Sequence, residues 1–297
     1  MMKDAFSTCH PFVNFSYFTL VIVFSMFFLH PVLLPISLCV AVTYSIYLNG
    51  VKALKFNVFA MIPTMLLAAA INPMFSHAGM TILYYLDNGN PITLESIFYG
   101  IAVGCMFITV IIWFSCYNKV MTSDRFIYLF GRLIPALSLI LSMVLRFVPK
   151  FKSQIKEISN AQKCIGRNVS DGSIFVRART GLTIMSILIT WALENAIETA
   201  DSMKSRGYGL KGRTAFSIFQ IDKRDKCLLF IFLLCTAVIL LGVYQGITTI
   251  KFFPAILIKP YSIFHLIVYI AYTILLSIPM ILNIMEDIKW KSIKSIT

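Results

Sequence analysis

Acidic residues are scarce in this sequence of 297 residues, which holds 13 Asp and Glu against 26 Lys and Arg. The long apolar runs contain essentially none of them. Carriers that are coupled to protons or sodium ions place ionisable side chains or broken helices at mid-membrane. This scarcity disfavours a stand-alone secondary transporter, which we keep as one alternative hypothesis.

Motifs for metal binding and hydrolysis are missing as well. The seven Cys form no CxxC pair, and the four His are scattered without an HExxH pattern. No DDxxD pattern and no Gly-x-Ser-x-Gly elbow is present. We therefore expect no metal, no cofactor and no catalytic residue. An intramembrane lipid-modifying enzyme is the other alternative, and it would require His, Asp or Glu clustered at one membrane depth.

One segment, Gly207–Thr214, resembles the phosphate-binding pattern GxxxxGK[ST], with Arg in place of Lys. That pattern works between a strand and a helix. Here a long helical pattern precedes it, so we expect that the chain does not hydrolyse ATP by itself.

Apolar residues dominate the composition: 58% of residues are hydrophobic and 13% are charged. Runs of about 18 apolar residues are long enough to cross the hydrocarbon layer of a bilayer. The sequence therefore predicts an all-α polytopic membrane protein with about six transmembrane helices. The predicted spans are 12–29, 31–48, 57–71, 97–117, 227–245 and 261–285.

Positive charge is concentrated in the middle of the chain. Eighteen Lys and Arg lie between Lys119 and Lys226 against eight acidic residues, a net charge of +10. Basic sections of membrane proteins usually face the cytoplasm, and no nucleic-acid-binding module accompanies this one. We expect both termini in the cytoplasm and no nucleic-acid partner. The predicted sections are N-terminal membrane helices in 1–118, cytoplasmic or juxtamembrane coupling helices in 119–225, and C-terminal membrane helices in 226–297.

The run 126–148 is apolar but contains Arg132, Pro135 and Arg146, and both of its flanks are basic. A single crossing would put one basic flank outside the cell. We expect this run to be re-entrant or to lie along the inner membrane surface, where Arg side chains can reach the headgroups. A membrane-crossing pair of short helices that is broken at Pro135 is the other possibility.

Two long helices are predicted in the basic section. Val144–Ile165 repeats apolar residues every three to four positions, with a kink expected near Pro149 and a stop at Gly166. The second helix has eight polar positions that span 25 residues at a mean step of about 3.57, close to the helical period. These positions are Thr180, Thr183, Ser186, Thr190, Glu194, Glu198, Asp201 and Ser205.

The second helix carries two further features. Ala192, Ala196 and Ala200 form a ridge that would permit the close crossing of another helix, although Ala is also simply the best helix former. Arg206 lies beside Gly207 at the helix end. A cation there complements the helix dipole without any partner. We favour docking to a partner, because two long basic helices both end with an Arg beside a Gly.

The segment Ala200–Gly209, with the sequence ADSMKSRGYG, resembles the signature of the transmembrane T component of energy-coupling factor transporters. That family includes cobalt-transport permeases. His10–Phe15 and Asn72–His77 are also similar to segments of bacterial members. The resemblance covers most of the chain, and the segment 200–209 is its most specific part.

The resemblance implies a scaffold and coupling subunit in the bacterial cell membrane that is not itself an enzyme. In that family, two coupling helices end in short x-Arg-x motifs that dock in grooves of two ABC-type ATPases, which bind the ATP. A separate membrane subunit binds the substrate, a vitamin or a transition-metal ion.

Carried over to this chain, the second motif is Ser205-Arg206-Gly207. The first motif departs from the common form, because Ile165 stands where the family has Arg. The nearest Arg is Arg167, within Gly166-Arg167-Asn168. The resemblance therefore implies that Arg206, with its neighbours Ser205 and Gly207, and Arg167, with Gly166, contact the ATPases.

Overall fold

The computed structural model describes residues 4–85, 91–131, 134–168, 173–210, 219–254 and 262–294, and helices dominate these ranges. The helices are α1 (Pro11–Phe27), α2 (Leu33–Asn49), α3 (Val51–Phe75), α4 (Leu94–Val120), α5 (Ser123–Gly131), α6 (Pro135–Cys164), α7 (Ile174–Ser205), α8 (Lys223–Tyr244) and α9 (Ile263–Lys294). An antiparallel hairpin consists of β1 (Ile82–Tyr85) and β2 (Pro91–Thr93).

The chain divides into two compact units, which we call the membrane unit (residues 1–126 and 219–297) and the basic unit (residues 127–218). Each of the six predicted spans is found as a helix of the membrane unit. α3, α4, α8 and α9 are long and apolar enough to cross a bilayer, and α1 and α2 are shorter apolar helices of 17 residues each. The prediction of an all-α polytopic membrane protein is confirmed.

Aromatic rings fill the core of the membrane unit around Trp113 of α4. Tyr17 and Tyr44 lie with their ring centroids 6.2 Å from that of Trp113, and all three side chains are fully buried. The indole nitrogen donates a hydrogen bond to the Ser37 hydroxyl (3.3 Å), which lies 2.8 Å from the Ser25 hydroxyl. Polar groups of α1, α2 and α4 therefore satisfy one another inside the apolar core, where an unpaired hydroxyl would be costly.

Small residues set the close packing of α3 against α4. A Cβ atom at Gly100 would lie 2.7 Å from the Ala68 carbonyl oxygen, and one at Gly104 would lie 3.1 Å from the Ala68 side chain. This Gly-xxx-Gly spacing lets two membrane helices approach closely. α3 continues four residues beyond its predicted end and passes through Pro63 and Pro73.

At one end of the membrane unit, which we call the charged end, the N-terminal segment is tied to α8 and α9. The side chain of Asn283 accepts a hydrogen bond from the Ala5 amide (2.7 Å) and donates one to Asp4 (2.7 Å). Arg224 donates to the Ala5 carbonyl oxygen (2.7 Å) and pairs with Glu286 at 3.8 Å. Residues that are nearly 280 positions apart in sequence are therefore in contact at the charged end of the membrane unit.

The opposite end, which we call the hairpin end, contains the linker 28–32, the hairpin and the segment 245–254. The buried ring of His30 accepts a hydrogen bond from the Val32 amide through Nδ1 (3.2 Å), and its Nε2 lies 3.3 Å from the Tyr269 hydroxyl. The hairpin lies between the predicted spans 57–71 and 97–117, where the sequence analysis predicts no strand. Its strands are short, and the turn residues 86–90 lie outside the described ranges.

In the basic unit, α5 ends at Gly131 and α6 begins at Pro135, so the run 126–148 contains a helix end followed by a helix start at Pro135. Proline fits the first helical turn, where its missing N–H is not needed. The start predicted at Val144 is therefore wrong by nine residues, and α6 continues through Pro149. α7 ends at Ser205, as predicted, and begins at Ile174.

Candidate functional site

The two long helices of the basic unit pack against each other near their middles. Lys150 of α6 donates a hydrogen bond to the side-chain oxygen of Asn195 in α7 (2.6 Å), and its ammonium lies 5.1 Å from the centre of the Trp191 ring. The Phe151 and Trp191 rings meet edge to face at 5.8 Å. A small apolar cluster of Ile158, Ile184 and Leu188 continues the contact.

The order of these contacts shows that α6 and α7 are antiparallel. Positions 150 and 151 of α6 meet positions 191 and 195 of α7, whereas position 158 meets positions 184 and 188. At 1.5 Å per residue the helices are about 45 and 48 Å long. The carboxyl ends of the two helices therefore point in opposite directions along the pair.

The carboxyl end of α6 closes on Gly166. The Gly166 amide donates to the Lys163 carbonyl oxygen (3.0 Å), and the Arg167 amide donates to that of Gln162 (2.9 Å). Gly166 has a φ of +79°, a left-handed conformation that L side chains rarely adopt. This pair of hydrogen bonds around a left-handed Gly is the Schellman motif.

The carboxyl end of α7 closes in the same way on Gly207. Its amide donates to the Lys204 carbonyl oxygen (2.9 Å), and the Tyr208 amide donates to that of Met203 (3.0 Å). The φ of Gly207 is +76°. Gly166 and Gly207 are therefore structural equivalents at the two helix ends.

This equivalence does not extend to the arginines. Arg206 precedes its glycine and corresponds to Ile165, whereas Arg167 follows its glycine and corresponds to Tyr208. The departure noted in the sequence is thus a real difference in position: where α7 presents a guanidinium, α6 presents an isoleucine that is 71% exposed.

Both arginines are exposed, and no hydrogen bond or ion pair of either guanidinium is found within the described ranges. Lys163 and Lys204 in the last turns add further positive charge. The Ser205 hydroxyl donates to the Ser202 carbonyl oxygen (2.9 Å) and so gives a carbonyl group in the last turn of α7 a hydrogen-bond donor. The two ends present unpaired cations suited to carboxylates.

The alanine ridge lies beside the face of α7 that packs on α6. Ala196 and Ala200 are exposed and Ala192 is half-buried, while α6 packs against Ile184, Leu188 and Trp191. Leu193 and Ile197, next to the ridge, are also exposed. α7 therefore has a second, apolar face that α6 leaves open.

Among the residues that the structure describes, α7 is one of five helices whose length and apolar composition would allow a membrane crossing, and it has the lowest mean hydropathy of the five. The apolar content of α7 is thus intermediate between that of a transmembrane helix and that of a surface helix. Within the described ranges, no group of three or more His, Cys, Asp or Glu could hold a metal ion.

In the described part of the chain, the membrane unit has six apolar helices and the basic unit has two long antiparallel helices with exposed basic ends. These features define a polytopic α-helical membrane protein with a specialised basic section. The family model described as cobalt transport protein matches residues 10–216, most of the chain. The chain belongs to the cobalt transport protein family.

Several relatives with recognisable similarity are transmembrane proteins of energy-coupling factor transporters. The protein from Lactobacillus helveticus is 34% identical over 109 residues, which cover 36% of this chain and 39% of the relative. The protein from Listeria monocytogenes, called EcfT 1, is 28% identical over 205 residues, which cover 65% of this chain and 73% of the relative. An uncharacterised Mycoplasma pneumoniae protein is 29% identical over 178 residues, covering 56% of this chain and 41% of that protein. The chain thus spans about two fifths of the length of several relatives that it matches.

Proposed function

We propose that the chain is the transmembrane scaffold and coupling subunit of an energy-coupling factor importer in a bacterial cell membrane. Two ABC-type ATPase subunits bind and hydrolyse the ATP, and the chain itself is not an enzyme. The similarity to the energy-coupling factor transporter transmembrane proteins of Lactobacillus helveticus and Listeria monocytogenes supports this role.

The observation that carries the proposal is the presence of exposed arginines at opposite ends of one antiparallel helix pair. A guanidinium can form two parallel charge-assisted hydrogen bonds with a carboxylate, a geometry that Lys does not reproduce. Because the ends are separated by roughly the length of a helix, on the order of 45 Å, one groove cannot receive both. Two ATPase subunits, each with an acidic groove, fit this arrangement.

In this proposal, Arg206 docks at one ATPase, and Ser205 and Gly207 shape the helix end that presents it. Arg167, held by the Gly166 turn, docks at the other. The rigid helices transmit the closure of the ATPases to the membrane unit. The excess of positive charge in the basic section supports a cytoplasmic location for it and for both termini.

A separate membrane subunit binds the substrate, a vitamin or a transition-metal ion. We assign it to the open face of α7, where Ala192, Ala196 and Ala200 permit close helix approach. The exposed Leu193 and Ile197 provide apolar area at the same place.

The test is a double Arg167→Ala, Arg206→Ala variant that is co-expressed with the ATPases and assayed for co-purification and ATP-driven uptake. Removing one partner of a desolvated ion pair costs about 3–5 kcal/mol, so we expect assembly and uptake to be lost while membrane insertion is retained. The matched control is Lys152→Ala, which removes an exposed cation of α6 near the middle of the helix pair, away from the carboxyl ends of both helices. Normal uptake in the double variant would refute the proposal.

A further inference from the structure

The strand β1 of the hairpin has an unusual surface. All four of its residues, Ile82 to Tyr85, are exposed, and each is apolar or aromatic; Tyr84 is 64% and Tyr85 58% exposed. Side chains of a strand leave it on both of its faces, so β1 exposes apolar groups on both sides. The sequence from 72 to 96 contains no Lys or Arg that would favour immersion in water.

The root of the hairpin is fixed rather than free. Glu95, buried in the first turn of α4, accepts hydrogen bonds from the Thr81 hydroxyl (2.7 Å) and the Thr81 amide (3.2 Å). The Thr93 hydroxyl donates to the Ala78 carbonyl oxygen (2.9 Å). Gly79 has a φ of +149°, and a Cβ atom there would lie 2.6 Å from a Glu95 carboxylate oxygen. The turn therefore has no room for a side chain.

A second attachment joins the root to the segment 245–254. The Met80 amide donates to the Pro254 carbonyl oxygen (3.1 Å). Beside it, Tyr99 of α4 packs against Phe252 at 5.3 Å and Phe253 at 5.6 Å. The fold of the membrane unit, and not loop flexibility, therefore sets the position of β1.

The lengths of the flanking helices place the hairpin at the membrane–water interface. The candidate span of α3, Ala53–Phe75, is about 34 Å long and α4 is about 40 Å long, against a hydrocarbon thickness of about 30 Å. The apolar surface of α3 continues to its last residues, since Met74 is 61% and Phe75 83% exposed. Tyr is enriched at interfaces, where its ring meets lipid and its hydroxyl meets water.

We infer that β1 anchors the membrane unit in the lipid headgroup region at the hairpin end. The side chains of Ile82 to Tyr85 contact phospholipid. A strand of four residues is about 13 Å long, longer than the 5–8 Å depth of one interfacial layer, so β1 lies along the surface rather than upright. The anchor is independent of the ATPase docking proposed above and limits the tilt of α3 and α4.

The test uses the photoreactive residue benzoylphenylalanine in place of Tyr84, and separately of Tyr85, in the full chain within bacterial membranes that retain its partners. Tyr208, exposed in the turn after α7, is the matched control position. After illumination, adducts are identified by mass spectrometry. We expect phospholipid adducts at Tyr84 or Tyr85 in several-fold excess over Tyr208.

Two results would overturn the inference. Adducts to another protein without phospholipid adducts would show that β1 is a protein-docking strand, and phospholipid yields equal to those at Tyr208 would show that β1 does not contact lipid. Both probe positions are exposed in the structure, so the substitutions leave the core intact.

A second measurement tests the role of the hairpin root. Gly79→Ala should displace the strand and reduce the phospholipid adducts at Tyr84 at least several-fold. Gly181→Ala is the matched control, because nothing lies within 4 Å of a Cβ atom at that position. An unchanged adduct yield in Gly79→Ala would overturn the claim that the root positions the anchor.

Discussion

At the end of α6, Gly166 is followed by Arg167, and at the end of α7, Gly207 is preceded by Arg206. The two glycines have nearly equal φ values, +79° and +76°, and the same pair of hydrogen bonds closes both helices. The backbone of the two ends is therefore alike, but the guanidinium groups leave it at positions two residues apart. The lesson is that a shared helix stop does not imply a shared docking geometry.

The largest expected effect is the loss of ATPase binding when Arg206 and Arg167 are replaced one at a time. Arg206→Ala should lose about 3–5 kcal/mol of ATPase binding if its partner carboxylate is buried on assembly, and Arg206→Lys should recover only part of it. Arg167→Ala should weaken the other attachment. The measurement is co-purification of each ATPase subunit with each single variant. Equal retention of both ATPases by all variants would contradict the prediction.

The same assay can sharpen the comparison by moving the arginine. Ile165→Arg in the Arg167→Ala background places a guanidinium where α7 has Arg206. If docking uses Arg167 as proposed, this double variant should stay as weak as Arg167→Ala. Full recovery of ATPase co-purification would show that the ATPase at the end of α6 instead binds a side chain at the position before the glycine.

The two faces of α7 should differ in their effect on stability. Trp191→Ala removes the ring that meets Phe151 and Lys150, and we expect a loss of about 2–3 kcal/mol, below the 3–5 kcal/mol typical of a fully buried aromatic residue. Leu193→Ala on the open face is the control and should change stability by less than about 0.5 kcal/mol. Thermal unfolding of the purified chain, followed by circular dichroism, checks both. A larger loss for Leu193→Ala would contradict the assignment of the faces.

The two helix stops should differ slightly in their tolerance of a side chain. Gly166→Ala and Gly207→Ala each force an L residue into a left-handed conformation, at a cost of about 1–2 kcal/mol. A Cβ atom at Gly207 would also lie 3.1 Å from the Leu210 side chain, whereas nothing lies within 4 Å of one at Gly166. Gly207→Ala should therefore be the more destabilising of the two. Amide hydrogen exchange in the last turns of α6 and α7 measures this difference.

The smallest expected effect is a pH dependence of stability that histidine gives to the membrane unit and not to the basic unit. All four histidines lie outside residues 127–218. Burial, and then the nearby His265, lowers the pKa of His30 below its ordinary 6.5. The unfolded chain thus takes up this proton at a higher pH than the folded chain, so stability is complete above about pH 6.5 and declines as the pH falls below it. Protonation also removes the Nδ1 acceptor of the Val32 amide.

Melting temperatures at pH 7.5 and 5.5 test this statement. His30→Asn keeps a side-chain acceptor but does not titrate, so the decline in melting temperature between the two pH values should be smaller than in the unmodified chain. An equal decline in both proteins would assign the pH dependence to other groups.

The spans were predictable because crossing a bilayer is a property of segment length and composition, which a sequence displays directly. The end of α7 was predictable for a similar local reason, since its polar stripe keeps the helical period up to Ser205 and a glycine follows. The membrane class was therefore accessible from local patterns, and the family from the resemblance of the segment 200–209 to its signature. The docking roles of Arg206 and Arg167 stay predictions.

Other features depend on contacts that local patterns do not contain. The start of α6 was misplaced because the apolar residues before Val144 suit either a surface helix or a membrane segment. The hydrogen bond between Ala5 and Asn283 joins positions 278 residues apart, and no local sequence pattern predicts it. One usable signal existed: His10 before Pro11 is a helix start, and the His10 ring does accept a hydrogen bond from the Phe12 amide (3.2 Å).

The contact between Ala5 and Asn283 has a consequence for biogenesis. The Ala5 amide leaves the ribosome 278 residues before Asn283, its acceptor, which is made only when α9 is synthesised. At about 5–20 residues per second, that delay is about 15–55 s. During this time the Ala5 amide must be hydrogen-bonded to water or to the insertion machinery. The membrane unit can therefore complete its packing at the charged end only after α9 has entered the membrane.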